Sequence, residues 1–350
     1  KRDLIVALLR ENGLEISNDA DFAFTRVGEG KGFVSMIYKI SLGEASYVIK
    51  ITNPHGKEEA PLNVHENLHN REVDLYRWAS DLPEKYRNDF KLPKFFGGRH
   101  CNGDQEGIII LEDFSDRMIN DIDWISGISV DLVEEIIRSI ASYQSYHLHC
   151  ENKFPTSDKS AIYRSLNIIH RTHTESLPKK PWITEARKRA MLDFNENIGM
   201  LTEEYPDFAK NAPRTLIHCD MWPPNMLYER IGANVRLLSI IDWQCATLGN
   251  ALFDVSTLCG MSLTAEVRRA NEQGLVEFYW SEMQQKCAQL GTSFGIDLET
   301  THLLYRHCLQ SSALELASMV VLMKADDIPK GNSIDGPISA RLRALLEDLE

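Results

Sequence analysis

Several things are scarce in this chain, and each scarcity excludes a class. Its seven cysteines (Cys101, Cys150, Cys219, Cys245, Cys259, Cys287 and Cys308) are scattered, odd in number and never spaced C-x-x-C. Neither a disulfide framework nor a cysteine zinc site suggests itself, and a reducing, cytoplasmic setting is expected. No apolar run approaches membrane-spanning length; "GIIIL" and "MVVLM" read as a buried strand and a helix segment. The opening "KRDLIVALLRENG" pairs charge with an apolar patch, but Arg10 and Glu11 interrupt it before a signal-peptide core forms. Positive charge is short as well. Lys and Arg number 38 against 51 Asp and Glu, for a net charge of -13 and a pI near 5.4. Nucleic acid and anionic membranes are therefore not expected as partners, and a phosphorylated ligand would need local backbone amides, a few lysines and metal ions.

What is present fits a soluble globular chain of 350 residues, 43% hydrophobic and 25% charged, long enough for two lobes. "FAFTRVG", "FVSMIYKISL" and "ASYVIKI" between residues 22 and 51 carry the β-branched and aromatic content of three antiparallel strands. A helix around "VHENLHNREVDLYRW" and strands at "LPKFFGGRH" and "GIIILEDF" complete a sheet of about five strands with one helix. Beyond "EDFSDRM" the pattern turns helical. In "VDLVEEIIRSIASYQSYHLH", Leu132, Val133, Ile136, Ile137, Ile140 and Tyr143 share one stripe, and 182–205, 264–291 and 300–324 read alike. The expected class is α+β, with a small antiparallel-sheet lobe over 1–113 and a larger helical lobe over 114–350.

The chemistry centres on "LIHCDMWPPNMLY" and "LLSIIDWQ". An apolar strand delivers His218, Asp220 and Asn225 into a loop stiffened by Pro223 and Pro224, and a second apolar strand ends on Asp242. Two carboxylates and an amide suit oxygen-ligated Mg²⁺ better than zinc. Asp220 is then left to orient a hydroxyl nucleophile, as in kinase-type phosphoryl transfer. Lys50 closes a "VIK" strand and Glu72 lies on the next helix, the order in which a kinase pairs its phosphate-binding lysine with a helix glutamate. The turn "VGEGKGF" supplies Gly28, Gly30 and Gly32, whose amides could close over phosphates.

One motif competes. His65-Glu66-x-x-His69 has zinc-hydrolase spacing, with two imidazoles one helical turn apart. It lacks the H-x-x-G-x-x-H extension, and Glu72 falls on the same helical face, so His65 and His69 are expected to be polar residues near the helix start. His147 and His149 are read as charge at a helix terminus, and "EARKRA" as a solvated helix face.

The ordered set "VGEGKGFVS", "YVIK", "HNREVDLY", "ILEDF", "HCDMWPPNML", "IDWQ" and "GNALFDVS" resembles the CHK kinase-like or ecdysteroid-kinase-like family, in the aminoglycoside phosphotransferase and choline kinase branch of the bilobal protein-kinase-like fold. The resemblance implies Asp220 as catalytic base and Asn225 and Asp242 as Mg²⁺ ligands. It also implies Lys50 on the ATP phosphates with Glu72 holding it, nucleotide contacts at Gly28, Gly30, Gly32 and Ser35, and a hinge against adenine at Ile110 to Phe114, including Leu111, Glu112 and Asp113. Asp254 resembles the buried aspartate that braces the catalytic loop. Cys219 stands where such small-molecule kinases usually have glycine, and Asp-Trp-Gln replaces Asp-Phe-Gly, which implies a stiffer segment.

The expected function is ATP:Mg²⁺-dependent phosphorylation of a hydroxyl on a small molecule such as a steroid, a choline-like alcohol or a xenobiotic metabolite. The alternative is a catalytically silent nucleotide-binding or scaffold protein of the same fold.

Overall fold

The computed structural model describes residues 2–16, 21–27, 35–52, 62–102, 105–150, 153–154, 160–196, 207–322 and 336–350, with only the backbone for 62–66 and 160–166. The chain divides into two compact units. Unit 1 comprises Lys1–Met118 and Ser239–Cys245; unit 2 comprises Ile119–Leu238 and Ala246–Glu350. Asp242 thus belongs to the same unit as Lys50 and Glu72, although far from them in sequence.

Unit 1 is built on a five-stranded antiparallel sheet, ordered β1 (Phe22–Val27), β2 (Ser35–Leu42), β3 (Ala45–Thr52), β5 (Gly107–Glu112), β4 (Phe95–Arg99). Successive strand side chains face opposite ways, and β3 uses both faces. Ile49 and Ile51 pack with Ile40, Ile108 and Ile110 against Ile5, Leu8 and Leu9 of the amphipathic α1 (Arg2–Glu11). Lys50 and Thr52 point to the other face, where α2 (Leu62–Ser80) lies. The stretch that opens with charge and an apolar patch is therefore a helix covering the sheet, an element that the sequence pattern alone did not suggest. A short α3 (Glu84–Asp89) follows. Segment 239–245 is tied to unit 1 by Lys91, whose carbonyl accepts from the Ile240 amide (2.8 Å) and the Ser239 hydroxyl (2.9 Å).

Unit 2 is mainly helical. α4 (Val130–His149) starts at an N-cap, Ser129, that accepts from the Leu132 amide. Its expected stripe is buried throughout. α5 (Ser160–Ser176), α6 (Glu185–Glu196), α7 (Phe253–Ser262), α8 (Ala265–Gln289), α9 (Leu298–Leu322) and α10 (Pro337–Asp348) follow. Every residue of α7 is buried, so it has no polar face from which a helical period could be read. Two short sheets carry the loop chemistry: β7 (Arg214–Ile217) pairs with β10 (Thr247–Asn250), and β8 (Met226–Ile231) lies between β9 (Asn234–Ile240) and the two-residue β6 (Met118–Ile119). Arg341 of α10, 2% exposed, donates to the carbonyls of Met261, Trp124 and Ile125 and locks the end of α7.

The fold is α+β, an antiparallel sheet followed by a larger helical region. Expectations for His147 need correction. The residue is fully buried, and its burial, with Lys153 nearby, lowers its pKa to about 4, so it is a neutral core imidazole and carries no helix-terminus charge. In "EARKRA", Arg187 is half an exception to a solvated face: its guanidinium is anchored by Glu350 and the Trp182 carbonyl.

Candidate functional site

In unit 1, the period of two on β3 meets a spacing of three on α2. Lys50 Nζ lies 2.5 Å from Glu72 Oε2, and Thr52 Oγ1 lies 2.7 Å from His69 Nδ1. A third element adds Asp242, whose Oδ1 is also 2.5 Å from Lys50 Nζ. The ammonium therefore sits between two carboxylates, with Glu72 1% and Asp242 30% exposed at the side chain. Glu72 also accepts from the Trp243 backbone amide, which fixes α2 to the turn after Asp242. Burial works against the charge on Lys50, but Asp242 and Glu72 outweigh it and raise its pKa, so it stays protonated. One cation cannot neutralise two acids, one of them buried and the other partly so. Burial raises Glu72, the deeper of the two, to about 7 despite Lys50, and Asp242 pushes it in the same direction. Asp242 has φ 63°, a left-handed conformation that few residues other than glycine, asparagine and aspartate adopt.

His69 is not a polar residue at the helix start. It is 1% exposed, its Nδ1 bonded to Thr52 and its Nε2 3.1 Å from the Arg99 carbonyl. Donation to that carbonyl puts the proton on Nε2, so Nδ1 accepts from Thr52. Burial lowers the pKa to about 4, countered in part by the Arg99 bond. Gly107 makes room for the ring: a Cβ there would lie 2.2 Å from His69 Nε2. With both nitrogens bonded to protein, His69 has none to offer zinc. The side chain of His65 lies outside the described residues, as do Gly28, Gly30 and Gly32.

The other nucleotide candidates in unit 1 hold mostly to one another. Ser35 Oγ is 3.1 Å from Thr52 Oγ1 and joins the His69 chain. Leu111 is buried in β5. Glu112 Oε2 accepts from the Lys94 amide (3.2 Å), and the Glu112 amide donates to the Lys94 carbonyl (2.9 Å). The Asp113 side chain is 2% exposed; burial would raise its carboxyl, yet bonds from Lys39, Ser115 and Ser46 bring it down to about 2. The Asp113 carboxylate is thus held by its own neighbours.

In unit 2, the loop after β7 is organised by Asp254. Its Oδ2 accepts from the His218 amide (2.7 Å) and the Tyr143 hydroxyl (2.5 Å), and its Oδ1 from the Cys219 amide (2.9 Å). Asp254 is fully buried, and burial raises its pKa although all three donors and His218 oppose the rise. Cys219 has φ 67°, a left-handed backbone that suits glycine and strains a residue with a Cβ, and its amide bond to Asp254 helps to hold it there. Next, the Asp220 amide donates to His218 Nδ1 (3.3 Å). Asn225, in the Pro223–Asn225 turn, donates through Nδ2 to Asp220 Oδ2 (2.8 Å) and to the Asp220 carbonyl (2.9 Å). The amide nitrogen thus aims the Asp220 carboxylate, and the amide oxygen is directed away from it.

Sequence reasoning placed Asp254 by resemblance but missed Tyr143, which it read as a core residue on the α4 stripe. It also missed Thr52 and the Trp243 amide. Only the hydroxyl distinguishes Tyr143 from a packing residue, and nothing in the periodicity signals its partner.

Asp242 in unit 1 and Asn225 in unit 2 each offer an oxygen of the kind that Mg²⁺ takes, and among the described residues no group of three or more His, Cys, Asp or Glu could hold a metal alone. Mg²⁺ characteristically takes one or two protein oxygens and completes its shell with phosphates and water. No helix among the described residues is long and apolar enough to cross a membrane.

A sheet-and-helix unit carrying a Lys–Glu pair, followed by a helical unit with an Asp–Asn loop, defines the protein-kinase-like fold. The crystal structure of a candidate aminoglycoside phosphotransferase from Ralstonia eutropha JMP134 superposes with a TM-score of 0.54, at 14% identity over 99% of this chain and 96% of that one. The chain belongs to the DUF1679 family, described as "Uncharacterized oxidoreductase dhs-27", whose profile matches residues 49–350. An uncharacterized kinase-like protein of Caenorhabditis elegans is 19% identical over 84% of this chain and 77% of its own length. The uncharacterized oxidoreductase dhs-27 of the same organism is 23% identical over 77% of this chain, but only 33% of its own length is matched. Its name therefore describes a much longer protein.

Proposed function

We propose that this chain is an ATP:Mg²⁺-dependent phosphotransferase acting on a hydroxyl of a small molecule. The observation that carries the reading is the buried ammonium of Lys50 at 2.5 Å from both Glu72 and Asp242. Such a triad is a poor way to gain stability, because desolvation offsets most of the attraction and one carboxylate is left in excess. It is well suited to exchange. Lys50 keeps Glu72 and turns to the nucleotide phosphates, which frees the Asp242 carboxylate; Asp242 and Asn225 are the residues that would hold Mg²⁺. Bound Mg²⁺ supplies neutralising charge at the phosphate oxygens. Asp220, aimed by Asn225, orients the acceptor hydroxyl and takes its proton as the oxygen attacks the γ-phosphorus, the bond to the β-phosphate oxygen breaks and ADP leaves. A cytoplasmic location accompanies this reading, on the scattered cysteines.

The test is a screen of ATP consumption against a panel of small alcohols, with product identified by mass spectrometry, on wild type and Asp220→Asn. Phosphorylated product from wild type alone is expected. A wild type that binds nucleotide but yields no product and no Asp220-dependent ATPase would favour a silent binder.

A further inference from the structure

Asp220 is anchored on both sides, and both anchors run through α7. On one side, Asp254 in the first turn of α7 accepts from the His218 and Cys219 amides. On the other stands Trp222, whose amide donates to the Asp220 carbonyl (3.2 Å) and whose carbonyl accepts from the Asn225 amide (3.0 Å). Its indole meets that of Trp124 edge to face, with ring centroids 5.6 Å apart and planes at 83°. Both residues are partly exposed, so burial alone does not fix this contact.

Trp124 is fixed through its backbone. The Asp123 carboxylate accepts from the amide (3.2 Å) and the hydroxyl (2.6 Å) of Ser126, and the Ile128 amide donates to the Ser262 carbonyl at the end of α7 (3.0 Å). Gly127 has φ 105°, and a Cβ there would lie 3.1 Å from Thr264 Cγ2. Arg341 of α10 adds the charged tie. Its guanidinium donates to the Trp124 carbonyl (3.2 Å), the Ile125 carbonyl (2.7 Å) and, at the end of α7, the Met261 carbonyl (2.7 Å). Desolvating a guanidinium is costly, and an apolar side chain could fill the same space. The planar fork does what an apolar group cannot, gripping two segments at once.

We propose that Arg341 and Trp124 are positioning residues for Asp220, an inference that rests on the phosphotransfer proposed above. The guanidinium of α10 sets the turn over 123–128, Trp124 passes that placement to Trp222, and the loop between Asp254 and Trp222 holds the Asp220 carboxylate at the angle that transfer requires. Both residues act through Trp222 rather than on the reacting atoms, so they bear on kcat and not on nucleotide affinity.

The experiment compares the full chain as wild type, Trp124→Phe, Trp124→Leu and Arg341→Lys. Two indoles this close give an exciton couplet in far-ultraviolet circular dichroism, read as wild type minus Trp124→Phe. Arg341→Lys keeps the charge and both tryptophans but not the fork, and should lose at least about half of the couplet. Turnover is measured with ATP and the alcohol consumed fastest in the screen above, and binding by calorimetric titration of Mg²⁺-ATP. Trp124→Leu should lower kcat per nucleotide-binding molecule by about tenfold, the size of an edge-to-face pair lost from the transition state alone. Its Mg²⁺-ATP affinity should stay within about twofold of wild type. Trp124→Phe, which keeps a ring edge for Trp222, should turn over within about threefold of wild type. A merely structural pair would lower the melting temperature and leave kcat per binding molecule unchanged. The proposal is overturned if wild type shows no couplet, if Arg341→Lys keeps the couplet in full, or if Trp124→Leu turns over like wild type; should Arg341→Lys fail to fold, the Trp124 variants decide. Asp220-dependent turnover that ignores Trp124→Leu would sink this inference alone. A couplet that depends on Arg341, with no turnover of any alcohol, would sink the catalytic reading alone.

Discussion

Lys50 in unit 1 and Cys219 in unit 2 are held by different physics. Lys50 is fixed by charge, one ammonium shared by Glu72 and Asp242. Cys219 and its neighbours are fixed by backbone amides converging on a single buried acceptor, Asp254, with Tyr143 as third donor. Charge contacts can be traded for other charges, such as phosphates and a cation. Amide contacts to a buried carboxylate have no soluble competitor. The first arrangement suits groups that must change partners during a reaction, the second a loop that must keep its shape.

That contrast breaks most visibly in a pair of substitutions. Lys50→Met should lower phosphotransfer by on the order of 100-fold or more, and it should leave the melting temperature near wild type below pH 7, where Glu72 can be protonated. Asp254→Ala should instead destabilise the protein by roughly 3 kcal/mol or more, because two amides and a hydroxyl lose their buried acceptor together. Calorimetric melting beside an activity assay checks both. Equal loss of stability in the two variants would erase the distinction.

Glu72 gives the contrast a pH signature. Its carboxyl is raised by burial to about 7 in the folded chain, above its ordinary unfolded value near 4.3. Between those values the folded state binds more protons than the unfolded state, so stability should fall as pH rises from about 4.5 to 7, by at most about 1.4 kcal/mol per pH unit. Glu72→Gln should flatten that decline. Denaturant titrations across this range decide it, and an unchanged slope in Glu72→Gln would place the titrating group elsewhere.

The smallest effect belongs to Cys219. At φ 67°, Cys219→Gly should be tolerated or stabilising by up to about 1 kcal/mol, whereas the β-branched Cys219→Val should be destabilising. A destabilised glycine variant would mean that the thiol's packing outweighs the backbone strain.

The legibility of the sequence follows the same division. The strand and helix that bring Lys50 to Glu72 could be read because two periodicities point their side chains at each other, and α4 because its apolar stripe is unbroken. α7 is buried on every side and shows no period. α1 was obscured by Arg10 and Glu11, and α5 by a face whose polar residues are inside. A single boundary at residue 113 could not anticipate that Ser239–Cys245 folds with unit 1, since that grouping depends on Lys91 accepting from residues almost 150 positions away. Likewise nothing in the string of letters tells His69 from a polar residue at a helix start, because its burial depends on the missing Cβ of Gly107, far along the chain.

In the proposed phosphotransfer the two aspartates have different tasks: Asp242 would hold the metal, and Asp220 would act on the acceptor hydroxyl. Calorimetric titration of Mg²⁺-ATP into wild type, Asp242→Asn and Asp220→Asn, with turnover measured on the same preparations, tests it most directly. Asp242→Asn should lose nucleotide affinity and turnover together, while Asp220→Asn should bind Mg²⁺-ATP as wild type does and lose kcat. If Asp220→Asn loses nucleotide affinity as severely as Asp242→Asn, Asp220 is a metal ligand or a structural brace, and the account given for the loop is wrong.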